Sequence, residues 1–331
     1  MKAPAFWYAP PSAPGLRARL LAPLGALYAW GTARRLASTT GYRAGVPVIC
    51  IGNVNAGGTG KTPTAIAIAE WFAEKKIAAH VVTRGYGGRL MGPVAVDTEQ
   101  HGAGDVGDEP LLLVAFAPVW VAKDRKAGVE AAEAAGAEII LLDDGLQNPA
   151  VQKDLSIVVV DAVMGFGNGR VIPAGPLREP LKQGLTRADF VLSIGNEAAQ
   201  TLFSKSWGHA VDAPHTTAHL EILATGMPWA GLRVLAFAGI GYPEKFFATL
   251  RGLGAELVRA EALSDHQPLT PALMARLDQE AKTLGAQLVT TEKDAVRLPG
   301  TFRQKVLTLP VRLKFDDPGL IDAHLAPLMK R

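Results

Sequence analysis

Residues 46–72 constrain this chain more than any other stretch. A β-branched, apolar run over 46–52 leads into Asn53-Val54-Asn55-Ala56-Gly57-Gly58-Thr59-Gly60-Lys61-Thr62-Pro63, and an apolar helical run over 64–72 follows. Strand, glycine-rich loop and helix in that order are the context a phosphate-binding loop requires. The glycines let backbone N–H groups close on phosphate oxygens, and the helix start adds the positive end of its dipole. Asn55, Ala56, Gly57, Gly58, Thr59 and Gly60 are expected around the phosphates, with Lys61 reaching the β- and γ-phosphates and Thr62 ligating magnesium. Against the pattern G-x-x-x-x-G-K-[ST], Asn55 stands at the first glycine position, where asparagine tolerates positive φ better than most residues.

A magnesium nucleotide needs a carboxylate at the tip of a neighbouring strand. Ile139-Ile140-Leu141-Leu142-Asp143-Asp144-Gly145 supplies two acids after a fully apolar run, and paired acids can divide direct and outer contacts to a metal. The rival is Asp161, which ends Ile157-Val158-Val159-Val160 and would otherwise serve a turn or a helix cap. Asp143 and Asp144 are preferred. Gln147, just beyond Gly145, is placed to orient a phosphate or a water.

Further along, short β-branched runs alternate with Ala-rich helical segments, the pattern of βαβ units. Strands are expected at 46–52, 80–83, 94–97, 119–122, 138–143, 156–161 and 190–194, which predicts an α/β fold with a P-loop NTPase-type, doubly wound, mostly parallel sheet. A second series at 233–238, 256–259, 287–290 and 306–310 predicts a smaller α/β domain, and 331 residues suffice for two cores. The stretch 201–231 shows no sustained periodicity and is read as the junction. The division expected is 1–40 as an N-terminal helical segment, 41–220 as the P-loop domain and 221–331 as a smaller domain contributing to the cleft.

Composition narrows the function less. A net charge of +3 does not argue for nucleic acid, and the single cysteine, Cys50, forms no internal disulfide, which fits a reducing compartment. Residues 20–33 fall short of the ~20 apolar residues of a spanning helix, and the Pro- and aromatic-containing residues 1–14 lack the pattern of a secretory signal. Within 16–36, Leu16, Leu20, Leu24 and Leu27 share one helical face, Ala18, Ala22, Ala26, Ala29 and Ala33 the other, and Arg17, Arg19, Arg34 and Arg35 lie at the ends. Two readings stand side by side. One is an interfacial helix whose Leu21, Tyr28 and Trp30 enter lipid while the arginines reach phosphates; the other is a core-packing helix, interrupted at Pro23 and Gly25.

Six motifs, in this order and spacing, resemble the tetraacyldisaccharide 4′-kinase (lipid A 4′-kinase) family over nearly the whole chain. They are Gly52-Asn53, Gly57-Gly58-Thr59-Gly60-Lys61-Thr62-Pro63, Thr83-Arg84-Gly85-Tyr86-Gly87, Gly107-Asp108-Glu109-Pro110, Asp143-Asp144-Gly145-Leu146-Gln147-Asn148 and Thr291-Glu292-Lys293-Asp294. The resemblance implies transfer of the ATP γ-phosphate to the 4′-hydroxyl of a tetraacylated disaccharide 1-phosphate, with ATP and Mg2+ as cofactors. It implies a peripheral protein on the cytoplasmic face of the inner membrane. The implied partners are the lipid A disaccharide precursor and, through the N-terminal helix, the membrane surface, with no nucleic acid and no obligate protein partner.

Carried over residue by residue, the resemblance agrees with Lys61 and Thr62 at the phosphates and magnesium and with Asp143 and Asp144 at the metal. It adds Asp108 at the acceptor hydroxyl, with His266 of Ser264-Asp265-His266 as its partner. Arg178 and Glu179, in the Gly/Pro-rich loop 169–180, are expected to neutralise phosphate charge and assist the metal. Arg84 is expected at the acceptor's 1-phosphate, and Lys293 at the nucleotide on domain closure. Without the resemblance, Asp108 reads as a helix-start acid and His266 as a turn residue. The competing class is a nucleotide-switched ATPase of the partitioning type, against which stand Ala56 at that branch's lysine position and the extra domain. A soluble metabolite kinase would share the phosphate machinery and leave 16–36 as packing.

Overall fold

The computed structural model describes residues 3–38, 40–264 and 267–330. Among them the β-branched runs form β1 (Val48–Gly52), β2 (Ala79–Thr83), β3 (Val94–Ala95), β4 (Val119–Val121), β5 (Ile139–Asp143), β6 (Leu155–Asp161) and β7 (Phe190–Ile194). They continue with β8 (His215–Ile222), β9 (Arg233–Ala238), β10 (Glu256–Ala262), β11 (Gln287–Thr291), β12 (Val306–Leu309) and β13 (Val311–Phe315). A nine-stranded sheet runs β13-β8-β7-β6-β1-β5-β2-β4-β3, and a four-stranded one runs β10-β9-β11-β12. Antiparallel pairing is confined to the two margins of the large sheet, β13 on β8 and β3 on β4. This is the predicted doubly wound, mostly parallel α/β architecture with a smaller sheet beside it.

Two helices flank β1 in sequence, α1 (Gly15–Ala37) and α2 (Lys61–Glu74). β1 is buried throughout because both of its faces are covered, as parallel sheets require. α2 lays Ile66, Ile68, Ala69 and Phe72 over Ile49 and Ile51. The other face holds Cys50, Val54, Leu146, Phe166, Leu177, Phe203 and Trp207. β5 pairs directly with β1, Ile51 opposite Asp143, so the acid-tipped strand ends beside the phosphate loop.

β8 and β13 depart from the expected organisation. β8 falls inside the stretch read as a junction, and β13 returns from near the C-terminus to pair with it, Leu313 opposite Leu220. Ile321, Leu325 and Leu328 then share a core with Ile66 and Phe72 of α2. The last part of the expected 221–331 unit is therefore built into the large sheet, and the small sheet draws its strands from 233–309 alone. Both strands are half-wet: β8 buries Thr216 and Ala218 while exposing His215 and Leu220, and β13 alternates Val, Leu and Phe with Arg and Lys. Such alternation lacks the continuous apolar run that announces an interior parallel strand.

α1 runs through Pro23 and Gly25 without a break, correcting the expected interruption. Ala18, Gly25 and Thr32 are its buried residues, whereas Ala26 and Ala33 are exposed, so only part of the alanine face turns inward. Gly25 is needed there: a Cβ would lie 2.9 Å from the Val171 carbonyl oxygen. Among the described residues no helix is long and apolar enough to cross a membrane.

Candidate active site

The phosphate loop is braced from inside and outside. Asn53, fully buried, donates through Nδ2 to the Gly57 carbonyl at 3.2 Å and to Thr59 Oγ1 at 3.1 Å, holding the turn closed. Gly57 at φ +124° and Gly60 at φ +98° take conformations that L side chains resist, and a Cβ on Gly60 would meet Ile194 Cδ1 at 2.4 Å. Asn55 is not among the residues with positive φ, contrary to the expected reason for its presence. Its Nδ2 donates to the Gly165 carbonyl at 3.0 Å, and its backbone bridges to Leu177. The Ala56 N–H goes to the Pro176 carbonyl at 2.7 Å. Loop 162–180 thus forms the outer wall of the phosphate loop, and α1 packs on that wall at Val171.

At the tip of β5 the two acids have opposite environments. Asp144 adopts φ +55°, a left-handed conformation uncommon outside glycine. Its Oδ1 faces Lys61 Nζ at 3.6 Å and Arg178 Nη1 at 2.8 Å. Burial works to raise the Asp144 pKa, but Lys61 and Arg178 outweigh it and hold the carboxyl below its ordinary value. Asp143 is 3 % exposed, and burial, aided by the charge of Glu109, pushes it up to about 6. Thr83 Oγ1 donates to Asp143 Oδ2 at 3.0 Å, while Asp143 Oδ1 is buried without a hydrogen-bond partner. Arg125, also buried, donates Nη2 to the Asp143 carbonyl at 2.6 Å.

Gln147 spans the floor, donating Nε2 to the Asn53 carbonyl at 2.9 Å and to Glu179 Oε1 at 2.8 Å. Glu179, 1 % exposed, also accepts from Arg187 Nη2 at 2.6 Å. Lys61, Asp144, Arg178, Gln147 and Glu179 therefore form one connected polar surface against the loop. Asp161 takes the turn role instead: its Oδ1 accepts the Val163 and Met164 N–H groups, and its Oδ2 pairs with Lys245 at 2.6 Å.

Asp108 begins the short helix Asp108–Leu113 and is 4 % exposed. Arg297 Nε lies 3.8 Å from its Oδ2, and the neighbouring Glu109 pairs with Lys293 Nζ at 3.1 Å. These contacts join the large sheet's unit to the small sheet's unit. Arg84 is exposed on the loop after β2, whose carbonyls at Arg84, Gly85 and Gly88 accept from Lys123 Nζ. His266 lies outside the described residues. Arg125, Arg187 and Arg297 carry no local sequence signal: burial distinguishes Arg125 and Arg297, and the pairing with buried Glu179 distinguishes Arg187.

A phosphate loop in the middle of a doubly wound sheet, with an unpartnered carboxylate oxygen beside it and a second α/β unit attached, defines a P-loop NTPase-type fold. The family model described as tetraacyldisaccharide-1-P 4′-kinase matches residues 17–330, and the chain belongs to that family. The tetraacyldisaccharide 4′-kinase of Dinoroseobacter shibae is 62% identical over 329 residues, 99% of this chain and 98% of that one. That of a Jannaschia species is 60% identical over 331 residues, covering 100% of both. A crystal structure of LpxK from Aquifex aeolicus in complex with ATP has a TM-score of 0.75 at 23% identity, covering 95% of this chain and 100% of that one, and so shares the fold.

Proposed function

We propose that this chain transfers the γ-phosphate of ATP to the 4′-hydroxyl of tetraacyldisaccharide 1-phosphate, in the cleft between the phosphate loop and the small sheet's unit. The observation that carries the reading is Asp143 Oδ1, a buried and unpartnered carboxylate oxygen at the strand tip next to the loop. Among the described residues no three His, Cys, Asp or Glu side chains converge as a metal cage, which suits an ion held largely by phosphate and water. Thr62 and Asp143 would hold Mg2+, with Asp144 and Glu179 on its outer side. Held there with the nucleotide, the ion would supply positive charge against the phosphates.

Lys61 and Arg178 rest on the Asp144 carboxylate and turn to the incoming phosphates, whose charge they neutralise. Residues 57–60 cradle those phosphates, Asn55 and Ala56 fix the loop against its outer wall, and Gln147 stands at the floor. Lys293 leaves Glu109 for the nucleotide as the units close. Asp108, with His266 as partner, takes the proton of the 4′-hydroxyl while the sugar oxygen bonds to phosphorus and ADP departs. Arg84 meets the 1-phosphate at the rim. The acceptor's acyl chains keep it in a bilayer, so the protein works peripherally on the cytoplasmic face of the inner membrane, where ATP is present. α1 docks it there, with Leu16 72%, Leu20 70%, Leu27 63% and Trp30 61% exposed.

The test is transfer from γ-labelled ATP in vesicles carrying tetraacyldisaccharide 1-phosphate. Label on the lipid 4′-position is expected. Label released only as inorganic phosphate, at the same rate with and without the lipid, points to a switch-type ATPase and overturns the reading.

A further inference from the structure

In the small sheet, β9 leads to β10 on one side while β11 and β12 lie on the other, so the strand order switches side between the parallel β9 and β11. α/β sheets bind ligands in the crevice at such a point, beyond the carboxyl ends of the strands. Here the chain fills that crevice itself. Asp294, fully buried, accepts the Gly239 N–H at 3.0 Å and the Thr291 hydroxyl at 2.8 Å on Oδ2, and pairs through Oδ1 with Arg297 Nη2. Gly239 leaves room for the pair, since a Cβ would lie 2.8 Å from Arg297 Nη2 and 3.0 Å from Asp294 Oδ1. Arg297 Nη1 donates to the Gln267 carbonyl at 2.9 Å. One edge of the guanidinium is left over: Nε is buried without a hydrogen-bond partner and lies 3.8 Å from Asp108 Oδ2, across the boundary between the units.

A desolvated donor without an acceptor is costly, and 3.8 Å from this one stands the carboxylate assigned to the acceptor hydroxyl. We propose that Arg297 is a positioning residue for phosphoryl transfer, its Nε hydrogen-bonding Asp108 as the two units close and so orienting that carboxylate toward the sugar. Asp108 is then fixed from two sides, with Oδ1 accepting the Glu109 N–H at 3.0 Å and Oδ2 held by Arg297. Asp294 keeps the guanidinium in place, so a residue of the small unit sets the geometry of a group on the large one. Closure and orientation become one event. The inference rests on the reading that Asp108 acts on the acceptor.

The experiment follows transfer to tetraacyldisaccharide 1-phosphate in mixed micelles, with Mg-ATP affinity by calorimetry and thermal unfolding on the same samples. Arg297→Gln keeps donors beside Asp294 but removes the cation and Nε. Its kcat should fall at least tenfold while acceptor KM and Mg-ATP affinity stay within twofold, and Arg297→Lys, which keeps the cation but not the Nε–H, should fall with it. In an Asp108→Asn background, Arg297→Gln should cost less than a further twofold, because it acts through Asp108. Losses that multiply, or ATP affinity falling in step with kcat, overturn the inference and leave the role of Asp108 standing. Parental transfer by Asp108→Asn alone overturns the reading of Asp108 and the inference with it. If Arg297→Gln does not fold, Arg297→Gln/Asp294→Asn, in which neither charge is left buried alone, carries the same comparison.

Discussion

Lys61 and Arg178 converge on one oxygen of Asp144 while Asp143, one residue earlier, keeps an oxygen without a partner; the pair of acids thus divides its work by environment. In the proposed site Lys61 neutralises phosphate charge. Charge neutralisation at a phosphoryl-transfer centre is worth several kcal/mol, so Lys61→Ala should lower transfer on the order of a thousandfold. Turnover within tenfold of the parent in the labelled-ATP assay would sink the assignment. A second residue-scale effect concerns His80, which is buried in β2 and accepts from Trp120 Nε1 on Nδ1 at 3.3 Å. Burial holds its pKa below the ordinary 6.5, so the unfolded chain takes up the proton first. Its contribution to stability is complete above pH 6.5 and is lost as pH falls from there toward the folded value. His80→Gln, which keeps an acceptor for Trp120, should flatten the decline of Tm between pH 7 and 5. An unchanged slope would show that other groups set it.

At the scale of elements, α1 is the one whose two candidate roles the structure separates by face. Its buried residues are Ala18, Gly25 and Thr32, of which Gly25 packs on the wall of the phosphate loop, while Leu16, Leu20, Leu24 and Leu27 are exposed. The packing reading is met on the buried side, and the interfacial reading stays a proposal for the exposed one. Burying each large side chain in an interface is worth ~1.5–3 kcal/mol, enough in sum for reversible attachment. Replacing Leu20, Leu24 and Leu27 together by serine should release the protein from anionic liposomes in a flotation assay and lower transfer to embedded acceptor. Mg-ATP affinity should stay within twofold, because those side chains lie outside the packed stripe. A triple variant that folds and still floats like the parent would place membrane contact elsewhere.

Across the whole molecule, the small sheet is an insertion between β8 and β13, joined by two crossings of the chain, and the C-terminal residues complete the nucleotide-binding unit. Damage near the C-terminus should therefore be felt at the phosphate loop. Leu325 is fully buried in the core shared with α2, and its truncation to alanine should cost ~2–5 kcal/mol. Calorimetry should show the large unit's transition lowered by several degrees, and bound Mg-ATP should restore part of it. A drop confined to the small unit would contradict the insertion topology.

What the sequence determined by itself was everything carried by short-range pattern. The buried parallel strands read as continuous apolar runs, the glycine-rich loop as glycines at fixed offsets from Lys61 and Thr62, and the acid pair as the tip of an apolar strand. Only the tertiary structure decided what depends on distant partners. β8 and β13 are strands because they meet each other across the whole of the small sheet, and neither is apolar enough alone to say so. Asn55 is an asparagine because Gly165 accepts from it, not because of its own backbone angle. Arg125 and Arg297 gain their places from burial beside Asp143 and Asp108, and burial is a property of the packed chain that local spacing does not encode.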